Sequence, residues 1–275
     1  MRTTKEHPTS PFFIAKSFYK NRNLISQLTF RGVMGRYQGS MLGSLWSILN
    51  PILLLLIYTF VFSKVFNVRW GTSTDGDVLF AQMLFCGLIA HGLLSEILTS
   101  SPNLILSQPN YVTKVVFPLE ILPIVALNSA VFGTLISMLI LLYSLIIFNF
   151  ELNWTVVLIP LVIAPLVVLC LGVGWILAAI GVFIRDVGQL TGFLSTILLF
   201  MSPILYPLEA VPEKYQPLLN YSPLTLIIGE LRKVVILGQL PDWYSLGIYM
   251  GVAIAVCGFG FYLFQKLRSG FADVI

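Results

Sequence analysis

The sequence predicts an all-α integral membrane protein: six transmembrane helices preceded by an N-terminal amphipathic helix lying at the membrane interface. Three observations predict it. Of the 275 residues, 57% are hydrophobic and 10% charged, both displaced toward the membrane class. Apolar runs of membrane-spanning length occupy most of Trp46 to Leu263, broken by short loops with few charges, and a soluble domain has no way to hide that much hydrocarbon. Finally, seven of the 16 Lys and Arg residues precede the first span, and Lys114, Arg185, Lys266 and Arg268 fall on that same side, leaving five elsewhere. The positive-inside rule then makes both termini cytoplasmic. Asp75, Asp77, Glu151, Glu209, Glu213 and Asp242 lean toward the outer side.

Residues 1–45 form the basic cytoplasmic N-terminal region. It lacks the short charged stretch, brief apolar core and small-residue cleavage site of a secretory signal, so it is expected to stay attached as an anchor. Phe30, Val33, Met34 and Tyr37 recur at i, i+3, i+4 and i+7, on one helical face, with Arg31 and Arg36 off it. That spacing predicts a helix along the inner leaflet; the alternative is a basic retention signal with no further role. Gly35, Gly39 and Gly43 repeat every fourth residue and are expected to allow close backbone approach where the chain turns into the bilayer. Asn50 and Pro51 follow, the proline freeing backbone groups that neighbours must satisfy.

The membrane domain, 46–263, holds spans at 46–66, 78–98, 122–148, 154–183, 189–206 and 244–263, and a cytoplasmic tail follows at 264–275. Each span is near the ~20 residues that cross ~30 Å of hydrocarbon. Cys86, Cys170 and Cys257 lie inside spans, where a thiol behaves as a small hydrophobe; no disulfide, metal site or redox motif is expected. His91 and Glu96 share the second span and read as a structural polar pair facing neighbouring helices, the alternative being a proton relay.

Two connections stand out. Thr99 to Phe117 is too polar to span and too long for a turn, with Pro102 and Pro109 delimiting a central piece that predicts a helix of about two turns. An ordinary connecting loop is the alternative. Residues 207–238 carry Pro207, Pro212, Pro217 and Pro223; Ser222 followed by Pro223 predicts a helix start and Gly238 its stop. Leu224, Ile227, Ile228 and Leu231 make an apolar face, and Thr225, Glu230, Arg232 and Lys233 a polar one. An amphipathic helix after a broken hydrophobic piece predicts a re-entrant or interfacial outer hairpin, with Thr225, Arg232 and Lys233 toward water or a pathway, because breaks at membrane depth survive only beside protein or a water-filled cavity.

Several chemistries are excluded. No G-x-x-x-x-G-K-[ST] loop, H-E-x-x-H or G-x-S-x-G occurs, so neither P-loop nucleotide binding nor the corresponding hydrolases are expected. Intramembrane charge is scarce and no internal repeat is visible, which argues against a self-sufficient carrier.

The sequence around the first span, Arg36-Tyr37-Gln38-Gly39-Ser40, Leu42-Gly43-Ser44-Leu45-Trp46 and Asn50-Pro51, is similar to permease subunits of ABC-2 type polysaccharide exporters. Val116-Phe117-Pro118-Leu119-Glu120 with Pro123, Ile184-Arg185-Asp186, Ser202-Pro203-Ile204 with Tyr206-Pro207, Ser222-Pro223-Leu224-Thr225 and Phe271-Ala272-Asp273-Val274-Ile275 follow in matching order. One departure is Tyr221-Ser222-Pro223 where Asn-Pro is common in the family. The resemblance covers about Phe30 to Ile275. It implies a homodimer bound to two copies of a separate ABC ATPase that holds ATP and Mg, so this chain carries no cofactor and is no enzyme. It also implies a cytoplasmic coupling helix between the second and third spans, involving Asn103, Ser107, Asn110, Tyr111 and Lys114. Outer gate helices would include Pro207, Pro212, Pro223 and Arg232. The cargo implied is a polysaccharide on a polyprenyl diphosphate lipid, exported across a bacterial inner membrane; no nucleic acid partner is expected.

Within that frame, sugars present apolar C–H faces that pack on aromatic rings, making Tyr58, Phe62, Tyr143, Trp175, Phe200 and Tyr206 candidates for the translocation path, the alternative being lipid-facing or belt positions. A diphosphate headgroup needs cationic donors at the inner interface, where Arg31 and Arg36 are placed. General attraction to anionic membrane lipid is the alternative role for these arginines. Rival cargoes for such a permease are teichoic acid, capsule, a drug or a lipid.

Overall fold

A computed structural model describes residues 17–36, 39–61, 76–113, 117–148, 150, 152–208 and 211–275. In chain order its helices are α1 (Arg22–Gly35), α2 (Trp46–Thr59), α3 (Gly76–Ser100), α4 (Pro109–Thr113), α5 (Leu122–Ile147), α6 (Ile159–Phe183), α7 (Val187–Met201), α8 (Gln216–Asn220), α9 (Thr225–Arg232), α10 (Trp243–Leu267) and α11 (Phe271–Val274). No strand occurs among the described residues. Prolines sit in the first turns of α5, α6 and α8, where a missing N–H costs nothing. At the start of α10 the Asp242 carboxylate accepts from the Tyr244 and Ser245 amides.

Four helical stretches are long and apolar enough to cross a membrane: Leu79–Asn103, Leu119–Ile147, Trp154–Phe183 and Trp243–Val274. The protein is therefore a multi-pass membrane protein. The helix at the expected fifth span, α7, is shorter, 15 residues or roughly 22 Å, while α2 at the expected first span is described for 14 residues and runs on as a π turn to residue 61, the last one described there. Residues 62–66 of the expected first span lie outside the described residues.

The centre of the fold is α3, packed on α2, α5, α6, α7 and α9. It is the least hydropathic of the four crossing helices and the most enclosed. Polarity explains the burial: Gln82, His91, Ser95 and Glu96 are better surrounded by protein than by lipid. His91 and Glu96 do face neighbours, but different ones. His91 Nε2 meets the Ser195 carbonyl oxygen at 3.0 Å, and Ser195 Oγ donates to Ser95 Oγ at 2.6 Å, while Glu96 pairs with Arg36.

Helices α6 and α10 approach closely enough that a Cβ on Gly172 would lie 2.7 Å from Cys257 Cα. The glycine series at 35, 39 and 43 works otherwise than expected: among the described residues, a Cβ on any of the three would meet nothing within 4 Å. Gly39 and Gly43 instead have φ of 92° and 49°, so they turn the chain between α1 and α2. The α1 helix packs on α5 through Ile25, while Phe30 and Met34 of the expected apolar face are exposed, as a face toward lipid would be.

Candidate functional site

Contacts between segments far apart in the chain gather at two ends of the bundle. The first is the basic end, where α1, the segment after α3, the start of α5, the ends of α6 and α10 and the C-terminus meet. Glu120 is 5% exposed there. It accepts from Arg268 Nη1 at 2.6 Å and from Ser17 Oγ at 3.2 Å, and its carbonyl oxygen accepts from Trp175 Nε1 at 3.0 Å. Arg268 Nη2 also donates to the Phe117 carbonyl oxygen at 3.0 Å. A buried carboxylate is tolerable only when paired and hydrogen-bonded, and this one is both.

The segment after α3 is shaped by the same end. Ser101–Asn103 forms a 3-10 turn on α6, with Ser101 and Pro102 buried. Gly181 of α6 is needed at this contact, since a Cβ there would overlap the Pro102 carbonyl group. The short helix lies after Pro109, as α4, rather than between Pro102 and Pro109, and has five residues instead of two turns. The expected central piece folds into turns because Pro102 and Ile105 are drawn into the core. Tyr111 stacks on Phe117, 4.3 Å between centroids at 8°, and α11 packs against α4. Phe271 is fully buried, its ring 5.5 Å from that of Phe264.

Of the residues expected at an ATPase-coupling surface, Asn103, Ser107 and Asn110 are exposed and Tyr111 is half-buried, all at this end; Lys114 lies outside the described residues. Arg31 and Arg36 are also exposed here, and Arg36 is ion-paired with Glu96. A cavity of about 460 Å³ brings the two groups together, lined by Arg31 and Arg36 on one wall and Ser107, Gln108 and Tyr111 on another.

The opposite end holds the broken stretch after α7. The helix stops at Met201, and Ser202 Oγ lies 2.7 Å from Ser222 Oγ. Ser222 accepts from the Leu224 amide at 3.4 Å, and α9 begins two residues later than Ser222-Pro223 suggests, with Leu224 in the N-cap position. After α9 a π turn, Lys233–Leu237, ends at Gly238 with φ 65°, the expected stop. Leu224, Ile227, Ile228 and Leu231 are completely buried, and α9 packs on α3 and α6.

Arg232 corrects the expectation for its face: it is 7% exposed, with Nε donating to the Met83 carbonyl oxygen at 2.9 Å and Nη2 to that of Ile204 at 3.2 Å. The reason is chemical, since the Ile204 carbonyl, freed by the break after α7, needs a donor, and a guanidinium supplies several, one of them to the Met83 carbonyl of α3. Glu230, also buried, accepts from Lys233 Nζ and from the Asp242 amide, both at 2.8 Å. The hydrogen bonds from the Ser245 hydroxyl and amide hold the Asp242 carboxyl below its ordinary range. Pro207 is half-buried, Pro212 exposed, and the Pro223 carbonyl oxygen accepts from Tyr249 Oη at 2.7 Å.

The aromatic candidates separate. Trp175 is fully buried, edge-on to Phe261 at 5.1 Å, and is a core residue instead of a path residue; its indole N–H found a partner in the Glu120 carbonyl. Tyr143 and Phe200 are exposed, and Tyr58 is half-buried. Tyr206 donates to the Phe200 carbonyl oxygen at 2.6 Å, which joins those two; Phe62 lies outside the described residues.

Residues 23–236 of this chain match the ABC-2 type transporter family. The chain belongs to that family. Its chains are permease subunits of transporters, not themselves catalytic. Among curated relatives, the O-antigen export system permease protein RfbA of Myxococcus xanthus is 27% identical over 264 residues, covering 95% of this chain and 99% of that protein. The protein of the same name from Klebsiella pneumoniae is 27% identical over 256 residues, 92% of this chain and 95% of its own. The polysialic acid transport protein KpsM of Escherichia coli is 26% identical over 224 residues, 81% of this chain and 84% of that protein.

What sequence reasoning missed in this ABC-2 chain is its pairing. Glu120 and Phe271 were visible only as parts of motifs, and Arg268 only as a count toward topology. A usable signal was present: an acidic residue directly before a span and a basic one directly after another, on the same side, are natural partners.

Proposed function

We propose that this chain is the permease subunit of an ATP-driven exporter of lipid-linked polysaccharide, acting as a homodimer with two copies of a separate ATPase in a bacterial inner membrane. The observation that carries the reading is the near full-length similarity to two O-antigen export permeases. A six-span plan, with α2 and α7 as first and fifth spans and both termini cytoplasmic, makes the basic end the ATPase-facing one. There, Asn103, Ser107, Asn110, Tyr111 and Lys114 would meet the ATPase, which binds ATP and Mg. The chain between α7 and α10 would gate the outer exit, with Pro207, Pro212 and Pro223 breaking its helices and Arg232 bracing them. The exposed rings of Tyr143 and Phe200 and the half-buried ring of Tyr206 would line a path between the two permeases, alongside Tyr58 and Phe62.

A second reading, export of a capsule-type polysaccharide, draws on the similarity to the polysialic acid transport protein, which covers less of the chain. Affinity purification of the tagged chain from its native membrane tests the first reading. A P-loop ATPase is expected to come with it, and disrupting the gene should leave polyprenyl-linked glycan inside the cell. Purification without an ATPase, or ATP hydrolysis by the chain alone at the rate of the complex, would refute the reading.

A further inference from the structure

Two cavities meet at one ion pair. The interfacial cavity of about 460 Å³ described above is walled by Arg31 and Arg36 of α1 and its following turn, by apolar Leu28, Leu104 and Val125, and by Ser107 and Tyr111. A second, of about 240 Å³, runs beside α2 with Asn50, Pro51, Thr134 and Ser137 in its lining. Arg36 and Glu96 belong to both linings, and they are bonded to each other. The pair therefore stands between an opening at the membrane interface and a groove beside α2 of mixed polar and apolar lining.

The lining chemistry selects a ligand class. Two guanidiniums recognise oxyanions, and the apolar wall suits an acyl or prenyl stem, so the occupant is the phosphate-bearing headgroup of a membrane lipid. Serine hydroxyls are available besides: Ser100, Ser107 and Ser129 now donate to backbone carbonyls three or four residues earlier and can turn outward. Glu96 occupies the place an oxyanion would take on Arg36. Arg31 has no carboxylate partner among the described residues.

We propose that this cavity binds a phosphorylated lipid headgroup, that the headgroup displaces Glu96 from Arg36 and so joins the two cavities, and that Ser107 and Tyr111 report the occupancy to the segment expected to meet the ATPase. The first part stands on the cavity alone; the reporting part rests on the function proposed above. Cargo diphosphate and ordinary anionic phospholipid share this chemistry, and the experiment separates them.

The purified chain in detergent is titrated with undecaprenyl diphosphate, and in a separate arm with phosphatidylglycerol, and bound lipid is read by native mass spectrometry. Lipid is expected to be retained. Arg31→Gln and Arg36→Gln should each need on the order of tenfold more lipid for half-occupancy, the loss of one charge-assisted contact. Glu96→Gln should need less than wild type, because the competing carboxylate is gone. That opposite sign distinguishes displacement from a structural role, since loss of a structural ion pair moves all variants the same way. Preference for undecaprenyl diphosphate assigns the site to cargo, and equal retention of phosphatidylglycerol assigns it to anionic phospholipid; both support the cavity. No retained lipid, arginine variants that bind as wild type, or Glu96→Gln weakening binding would overturn it. In the complex, the ratio of ATPase rates with and without lipid should follow the same order of variants. A ratio unchanged across them overturns the reporting role, whereas absence of any ATPase in the preparation counts against the function proposed above and leaves the binding result standing.

Discussion

At the basic end, Glu120 and Arg268 meet each other across 148 residues of chain; at the opposite end, Glu230 and Arg232 sit two residues apart and turn to different partners. Each end buries an acid beside a base, half-buried Arg268 at one and buried Arg232 at the other, and the difference lies in what they hold. The first pair ties the N-terminal helix, the start of α5, α6 and the C-terminus through side chains that satisfy one another. The second set serves mainly backbone groups: Arg232 binds the carbonyl of Met83 inside α3 and that of Ile204 in the break after α7, and Glu230 takes the Asp242 amide besides the Lys233 ammonium. Mutually neutralised side chains fix a foundation. Side chains on backbone groups can exchange those partners when helices shift, which suits the gate role proposed above.

The largest effect is expected from breaking the foundation. Arg268→Ala leaves Glu120 buried without its cation, a loss of about 3 to 5 kcal/mol. Thermal unfolding in detergent should show a marked fall in midpoint, and the ATPase should copurify poorly because the Phe117 carbonyl loses its donor. A small change in midpoint with full copurification would place the strength of this end elsewhere.

A smaller effect should follow at the other end. Arg232→Met keeps the apolar stem but strands the Ile204 carbonyl oxygen, about 1 to 3 kcal/mol if it finds no water. ATPase copurification should persist while export falls. Loss of the ATPase from this variant would mean that the two ends are not separable in the way the contacts suggest.

The smallest concerns the start of α10. Asp242 is fully exposed and its carboxyl is held below 3.8 by the Ser245 hydroxyl and amide. A depressed carboxylate contributes stability above its unfolded value and loses it as pH falls through the folded one. Asp242→Asn should therefore unfold earlier than wild type at neutral pH, and the gap should close as the pH drops below 3.8. A gap that is unchanged in acid would assign the effect to helix geometry instead of charge.

Much of this fold was legible in the sequence because lipid enforces long apolar runs: the crossing helices α3, α5, α6 and α10 fall within a few residues of the expected spans. Gly238 was readable as a stop because its left-handed backbone favours glycine. What the sequence concealed depends on three-dimensional contact. Arg232 reads as polar surface until the Met83 and Ile204 carbonyls are placed beside it, and Trp175 reads as a belt or path residue until Glu120 offers an acceptor. The gathering of Arg31 and Arg36 with Ser107 and Tyr111 around one cavity joins segments some 70 residues apart, and no periodicity reports that.

The central claim is that the basic end receives the driving force and the opposite end responds. Amide hydrogen exchange of the purified permease, with and without its ATPase partner and without nucleotide, tests it directly. Protection is expected to rise across 101–113 and 271–275 when the partner binds, while 202–238 exchanges as before until ATP is added. Protection appearing first in 202–238, or no change at 101–113 in a complex that hydrolyses ATP, would contradict it.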